Sequence, residues 1–293
     1  MAEGNLIELI KELRERTGAG LMDCKGALLA NNCDLDKASD YLREKGLAKA
    51  AKKASRIAAE GLAIAKACPK CGSVVVLEVN CETDFVAKGD AFRALVDNVA
   101  DTILAKRPAN VEQAKELTSE LFADATVKMG EKFDLRRFVV YDSKDAAYLA
   151  SYIHMGGKIA VAVALDKEDA ELGKGLAMHI AANNPQYLSL NDVAASEVEH
   201  EKEVQLEAAK NDPKLANKPA EMLAKIIDAK VTKYYSEMVL GSQPYLLDDT
   251  KTVAQVLKEK GVNVLKFVRY QVGEGIEKRK DDFASEVMNE VNK

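Results

Sequence analysis

Histidine is scarce in this chain of 293 residues: His154, His179 and His200 stand isolated from one another. No His-x-x-x-His pair therefore offers a metal site. The sequence also lacks a Gly-x-x-x-x-Gly-Lys-Ser/Thr phosphate loop and a Gly-x-Ser-x-Gly nucleophile elbow. The glycine pairs at 173–175 and 273–275 are too short to mark a nucleotide site. These gaps leave no sequence ground for covalent catalysis or for a cofactor. Long hydrophobic runs are missing as well. The strongest one, "IAVAVAL" at 159–165, is far shorter than the roughly 20 residues a membrane helix needs. The first residues show neither a basic region followed by an apolar core nor an Arg-rich transit pattern. Five cysteines, an odd number in a long chain, fit a reducing compartment better than a disulfide framework. A cytoplasmic location is expected.

What is present is the composition of a folded, soluble chain, 47% hydrophobic and 30% charged. Its length fits about two domains and a sizeable core. The net charge of -5 and isoelectric point near 5.5 argue against a dominant nucleic-acid surface, so the expected partner is a protein.

Residues 5–45 carry three helical patterns. Leu6, Ile7, Ile10 and Leu13 recur at helical spacing before "TGAG" breaks the run. A second helix spans about 21–30. A third opens at Asp34, a possible N-cap, and is expected to close at Gly46. The following Lys49, Lys52, Lys53 and Arg56 fit a solvated helix face or linker better than a binding patch.

The remainder contains a weak internal repeat. "SVVVLEVN" (73–80) matches "KIAVAVAL" (158–165), and "KMGEKFDLRRFVVYD" (128–142) matches "EKGVNVLKFVRYQVG" (259–273). The second pair lies farther apart than the first, so the second copy carries an insert. Residues 195–237 supply it, as two helical runs around "NDPKLANKP" with an expected seam of Leu223, Ile226, Ile227, Val231 and Tyr234. The expected class is α+β: small antiparallel sheets with helices on one face, an inserted antiparallel hairpin and a C-terminal helix. The expected divisions are 1–55, 56–145, 146–190 with 240–274, 191–239 for the hairpin, and 275–293.

Two local motifs carry candidate chemistry. In "CPKCG", Cys68 and Cys71 form a Cys-x-x-Cys, but a structural zinc needs four ligands and no second pair follows. Cys81 could add a third thiolate. An inert turn ranks first here, ahead of a zinc site and a redox pair. In "VNCETDFVAKGD" (79–90), spacing alone favours Asp84 as a helix cap with Phe85 as a hydrophobic staple. The alternative is that Phe85 anchors in a pocket of another protein, with Asp84 as a directional acceptor beside it.

The segments "LIKELRERTGAGLMDCKGAL", "LEVNCETDFVAK", "SYIHMGGKIAVAVAL", "LAMHIAANNPQYL" and "FVRYQVGEGIEK" together resemble the bacterial elongation factor Ts family, in the expected order and over essentially the whole chain. The resemblance implies a ubiquitin-associated-like three-helix module, a core of two related halves, the inserted hairpin and a C-terminal helix. It further implies guanine-nucleotide exchange on the GTPase elongation factor Tu, without covalent catalysis or cofactor. By the same resemblance, Arg14, Leu21, Met22 and Lys25 contact the GTPase's nucleotide domain. Thr83, Asp84, Phe85 and Val86 form the intruding element, with Asp84 and Phe85 entering near the magnesium site. Met129, Gly130 and His154 match further core contacts, and Leu246 and Leu247 a contact to another GTPase domain. The hairpin is implied to reach a more distant domain. A homodimer or a higher complex with the GTPase stays open, and direct contact with nucleic acid or membrane is not expected. "CPKCG" is outside the family pattern. Two rivals remain: an adaptor working through residues 1–55 alone, and a zinc-dependent RNA-binding protein using Cys68, Cys71 and the basic run.

Overall fold

The computed structural model describes residues 3–212, 215 and 218–277. Three helices come first, α1 (Glu3–Thr17), α2 (Leu21–Ala30) and α3 (Leu35–Lys53). A first half follows, with β1 (Glu60–Ala67), β2 (Val74–Cys81), the single turn α4 (Asp84–Ala87), α5 (Asp90–Lys106), α6 (Val111–Met129) and β3 (Asp134–Tyr141). The second half contains β4 (Tyr148–His154), β5 (Ile159–Leu165), α7 (Ala170–Asn183), the hairpin α8 (Ala195–Lys210) and α9 (Ala220–Ser236), β6 (Pro244–Tyr245), β7 (Asp248–Thr252), α10 (Val253–Lys260) and β8 (Val264–Gln271). The architecture is α+β. The C-terminal helix expected over 275–293 falls outside the described residues from position 278 onward.

The first three helices close on a small core of Ile10, Leu13, Cys24, Ala27, Leu28, Ala38 and Leu42. Asp34 caps α3 by accepting from the amides of Asp36 and Lys37, which satisfies donors that have no partner inside the helix. Gly46 does not end α3. A Cβ there would come within 2.7 Å of Val127 Cγ2 and 2.9 Å of the Ala123 carbonyl. The residue is a contact point where α3 crosses α6, and the helix continues through the basic run to Lys53.

Two antiparallel three-stranded sheets form the body, in the orders β1-β2-β3 and β4-β5-β8. Both central strands are buried along their whole length. Alternation explains how one strand serves two cores. Val75, Leu77, Val79 and Cys81 of β2 face the core that contains Phe92, Leu95, Val99 and Ile103 of α5. Ile159, Val161, Val163 and Leu165 of β5 face Leu172, Leu176 and Ile180 of α7. Val74 and Val76 share a third cluster with Ala160, Ala162 and Ala164, so small residues of β5 let the two sheets pack back to back.

On that inner face β2 continues with Glu78, whose side chain is fully buried. Its carboxylate accepts from Arg136 Nη1 at 3.1 Å, Arg137 Nε at 2.7 Å, the Gly273 amide at 2.8 Å and Asn80 Nδ2 at 3.1 Å. One carboxylate thus joins β2, β3 and the segment after β8. The burial is tolerable because its lone pairs are taken up by two guanidinium groups and further donors.

The hairpin insert is held by Ile227, Val231, Tyr235, Val193 and Val239, with Leu223 beside them. Tyr235, not Tyr234, completes its seam; Tyr234 is exposed. Half-buried Leu223 and buried Ile227, Val231 and Tyr235 are successive i, i+4 neighbours on one face of α9, whereas the heptad spacing had selected 234. None of the described helices is long and apolar enough to cross a membrane.

Candidate functional site

The chain leaves β2 at Cys81 and turns at once into α4. Thr83 has an extended backbone, and its Oγ1 accepts from the Val86 amide at 3.4 Å, so Thr83 is the cap. Asp84 occupies the first helical position, where a carboxylate complements the helix start. It pairs with Lys88 at 2.6 Å. That hydrogen bond, aided by the charges of Lys88 and Lys158, holds the Asp84 carboxyl below its ordinary acidity range. Val86 packs inward against the first core. Phe85 points away from it and is 84% exposed, more than any other large apolar side chain among the described residues. Cap-and-staple geometry is therefore absent: Asp84 does not cap the helix, and Phe85 packs on nothing beneath it.

The turn is nevertheless fixed. The Glu131 carboxylate accepts from the Glu82 amide at 3.0 Å, the Thr83 amide at 3.1 Å and Thr83 Oγ1 at 2.5 Å. Glu82 reciprocates, accepting from the Lys132 amide at 2.7 Å and from Arg56. Lys132 Nζ also donates to the carbonyls of Ala54 and Arg56, and Lys53 Nζ to that of Gly130. Gly130 ends α6 in the left-handed region, φ 76°, which only glycine adopts without strain and which sends the chain on to Glu131. Thr83, Asp84, Phe85 and Val86 thereby share a lock with Met129 and Gly130.

A second turn reaches the same edge. His154 ends β4, its Nδ1 3.2 Å from the Tyr152 hydroxyl, and Met155 beside it is 70% exposed. The Gly157 carbonyl accepts from the Ala63 amide at 2.7 Å, and Lys158 pairs with Glu60 at 2.7 Å. Since Glu60 is the register partner of Cys81, the His154 turn sits on β1 beside the end of β2.

Other sequence candidates lie elsewhere. Arg14, Leu21, Met22 and Lys25 are exposed on the N-terminal helices, with Leu21 at 53% and Met22 at 73%. Leu246 and Leu247 are exposed on the β6–β7 turn. Cys81 cannot join Cys68 and Cys71. It ends β2 opposite Glu60, whereas Cys68 and Cys71 lie at the other end of the hairpin, beyond the Ala67–Val74 pair. Burial, with Glu131 and Glu60, pushes its thiol up to about 12. Among the described residues no cluster of three or more His, Cys, Asp or Glu side chains could hold a metal ion.

The family model for Elongation factor TS matches residues 82–274, from the residue before the capped turn to the end of the second half. The chain belongs to the elongation factor Ts family. Members of this family are translation elongation factors with a guanine-nucleotide exchange role, and the matched span contains α4, both halves of the body from that point and the inserted hairpin.

In this family member two positioning residues escaped the sequence reading. Glu131 follows an αL glycine in "MGE", and a carboxylate just past a helix end was the available signal. His179 is fully buried on α7. Its Nδ1 accepts from the Leu246 amide at 3.1 Å while Nε2 meets Gln243 Oε1 at 2.8 Å, and Gln243 donates onward to the Glu237 and Asn183 carbonyls. The ring therefore holds the turn that displays Leu246 and Leu247, and it does so only when Nδ1 is unprotonated.

Burial lowers the His179 pKa below its ordinary 6.5. Well above pH 6.5 the ring is neutral in both folded and unfolded chains, and the full contribution is present. As pH falls below that value the unfolded chain takes up the proton first, so stability is lost down to the folded ring's own titration. The protein is expected to lose thermal stability between pH 7.5 and 5 more steeply than a His179→Asn variant. Parallel slopes for the two would remove the role assigned to the ring.

Proposed function

We propose that this chain binds elongation factor Tu in its GDP form and speeds GDP release by inserting Asp84 and Phe85 beside the magnesium and nucleotide site. The observation that carries the reading is Phe85 itself: an aromatic ring 84% exposed on a turn fixed by Glu131. A large apolar side chain presented outward on a fixed turn has the backbone share of its conformational cost already met, as suits a hot-spot anchor. Thr83 and Val86 fix the mount. Met129, Gly130 and His154 extend the same edge as further contacts. Arg14, Leu21, Met22 and Lys25 form a second contact, to the nucleotide domain, and Leu246 and Leu247 a third, to another domain of the GTPase. The hairpin 191–239 serves a more distant domain, and the divisions 1–55, 56–145, 146–190 with 240–274, and 275–293 are the units we assign. The cytoplasm is where such a factor would work.

The mechanism needs no reacting group on this chain. A factor that prefers the nucleotide-free GTPase over the GDP-bound one weakens GDP binding by the same factor, because the coupling is reciprocal. Incoming GTP weakens the factor's hold in turn. The test is release of a fluorescent GDP from elongation factor Tu in stopped flow. Acceleration that rises with the concentration of this chain is the expected result; a rate unchanged by its addition would refute the function. Residues 1–55 alone should not accelerate release; an adaptor reading requires instead that they bind tightly with the core dispensable.

A further inference from the structure

The β1–β2 connection holds two cysteines that the exchange function does not use. Cys68 and Cys71 are three residues apart in a turn fixed by the Cys68 amide on the Ser73 carbonyl (2.7 Å), the Gly72 amide on the Cys68 carbonyl (2.9 Å) and Ser143 Oγ on the Cys71 carbonyl (2.6 Å). The Cys71 amide donates to Cys68 Sγ at 3.3 Å. Arg107 reaches over from the end of α5, with Nη2 3.4 Å from Cys71 Sγ and 2.9 Å from Ser73 Oγ. Arg107 is a non-glycine residue at φ 52°, a backbone setting that costs energy and that here accompanies a guanidinium placed against a sulfur. Cys71 is exposed and Cys68 half-buried.

We propose that Cys68 and Cys71 form a thiol–disulfide exchange site, with Cys71 attacking a small-molecule disulfide and Cys68 resolving the product. The Cys71 thiolate attacks one sulfur of RS–SR, forming a Cys71–S–SR bond and expelling RS⁻. Cys68, after giving its proton to solvent, attacks the Cys71 sulfur, forms the Cys68–Cys71 disulfide and expels the second RS⁻. The protein loses two electrons and two protons, and the small disulfide is reduced to two thiols. The hydrogen bond from Cys68, followed by those from the Ser73 backbone and hydroxyl and by the Arg107 charge, lowers the Cys71 thiol to about 7. Ionisation at neutral pH is then about sixteen times that of an ordinary thiol, while the weaker nucleophilicity of a more acidic thiol takes back about fivefold. A net advantage of about threefold remains. Cys24 and Cys81 are buried and raised instead, so neither competes. The site lies at the opposite end of the hairpin from Phe85 and stands whether or not the exchange function does.

The experiment uses the full chain with oxidised glutathione at pH 7.5, followed by mass mapping of the peptides. Expected are a Cys68–Cys71 disulfide in the parent protein, a persistent glutathione adduct on Cys71 in Cys68→Ala, and neither in Cys71→Ala. The pH profile of iodoacetamide labelling at Cys71 should have its midpoint near 7 and move upward in Cys68→Ala and, by less, in Arg107→Gln. A midpoint at an ordinary thiol's value, or glutathione found on Cys33 in preference to Cys71, would overturn the proposal. Circular dichroism of each variant checks that the exposed turn has been changed without unfolding the chain.

Discussion

Phe85→Ala is expected to lower the acceleration of GDP release from elongation factor Tu by roughly tenfold to a hundredfold, with no measurable loss of fold. The range follows from about 1.5 to 3 kcal/mol for fully burying a phenylalanine side chain, taken at about 1.4 kcal/mol per factor of ten. The ring is 84% exposed in the free protein, so removing it takes little from this chain's own core. Substitutions at such positions usually change stability by less than about 0.5 kcal/mol. Phe85→Leu should retain part of the effect, since it keeps much of the apolar area. Glu131→Ala provides a distinct control. It leaves Phe85 in place but removes the acceptor of the Glu82 and Thr83 amides and the Thr83 hydroxyl, so it tests presentation separately from contact. A release rate unaltered in Phe85→Ala would eliminate the intrusion mechanism, even if the intact protein remained active.

Glu78→Gln is expected to destabilise the body of the protein by about 3 kcal/mol, near the low end for breaking a buried ion pair. The carboxylate is fully buried and answers Arg136 and Arg137 together. The substitution keeps the shape, removes the charge and turns an amide N–H₂ toward a guanidinium. The cost stays at the low end because both arginines are about a quarter exposed and keep other acceptors, the Gln271 carbonyl for Arg137 and the Glu274 carbonyl for Arg136. For a chain of this size such a loss lowers the unfolding midpoint by about 5 °C. Protection of the Gly273 amide against hydrogen exchange should fall with it, since Glu78 is its acceptor. An unchanged midpoint would mean that the two sheets are held by the alanine and valine contact alone.

These two positions differ in how far the sequence reveals them. Phe85 stands out in "TDFVA" as an aromatic where a strand gives way to a helix. Spacing favours a staple over an anchor, although both place an aromatic at a helix start, and the exposed ring overturns that preference. Glu78 sits inside "VVVLEVN", an apolar run that marks a buried strand, and nothing local says what neutralises it. Its partners come from β3 and from a segment 195 residues away.

The sequence by itself determined the α+β class, the two strand-centred halves, the hairpin insert and the family motifs. Each of these is written in short-range periodicity, turn residues and local motif spacing, which a linear reading can measure. The same spacing also singled out Cys68 and Cys71. Tertiary structure alone decided that Thr83 and not Asp84 caps α4, that Gly46 serves a helix crossing, and that Tyr235 rather than Tyr234 enters the hairpin seam. It also brought Glu131 to the Thr83 turn, His179 to Leu246 and Arg107 to Cys71. For Gly46, Glu131, His179 and Arg107 the deciding partner arrives from an element tens of residues away, so the outcome depends on how helices and sheets stack. The turn at 82–86 combines both: its residues mark the place, and a distant carboxylate holds Phe85 outward.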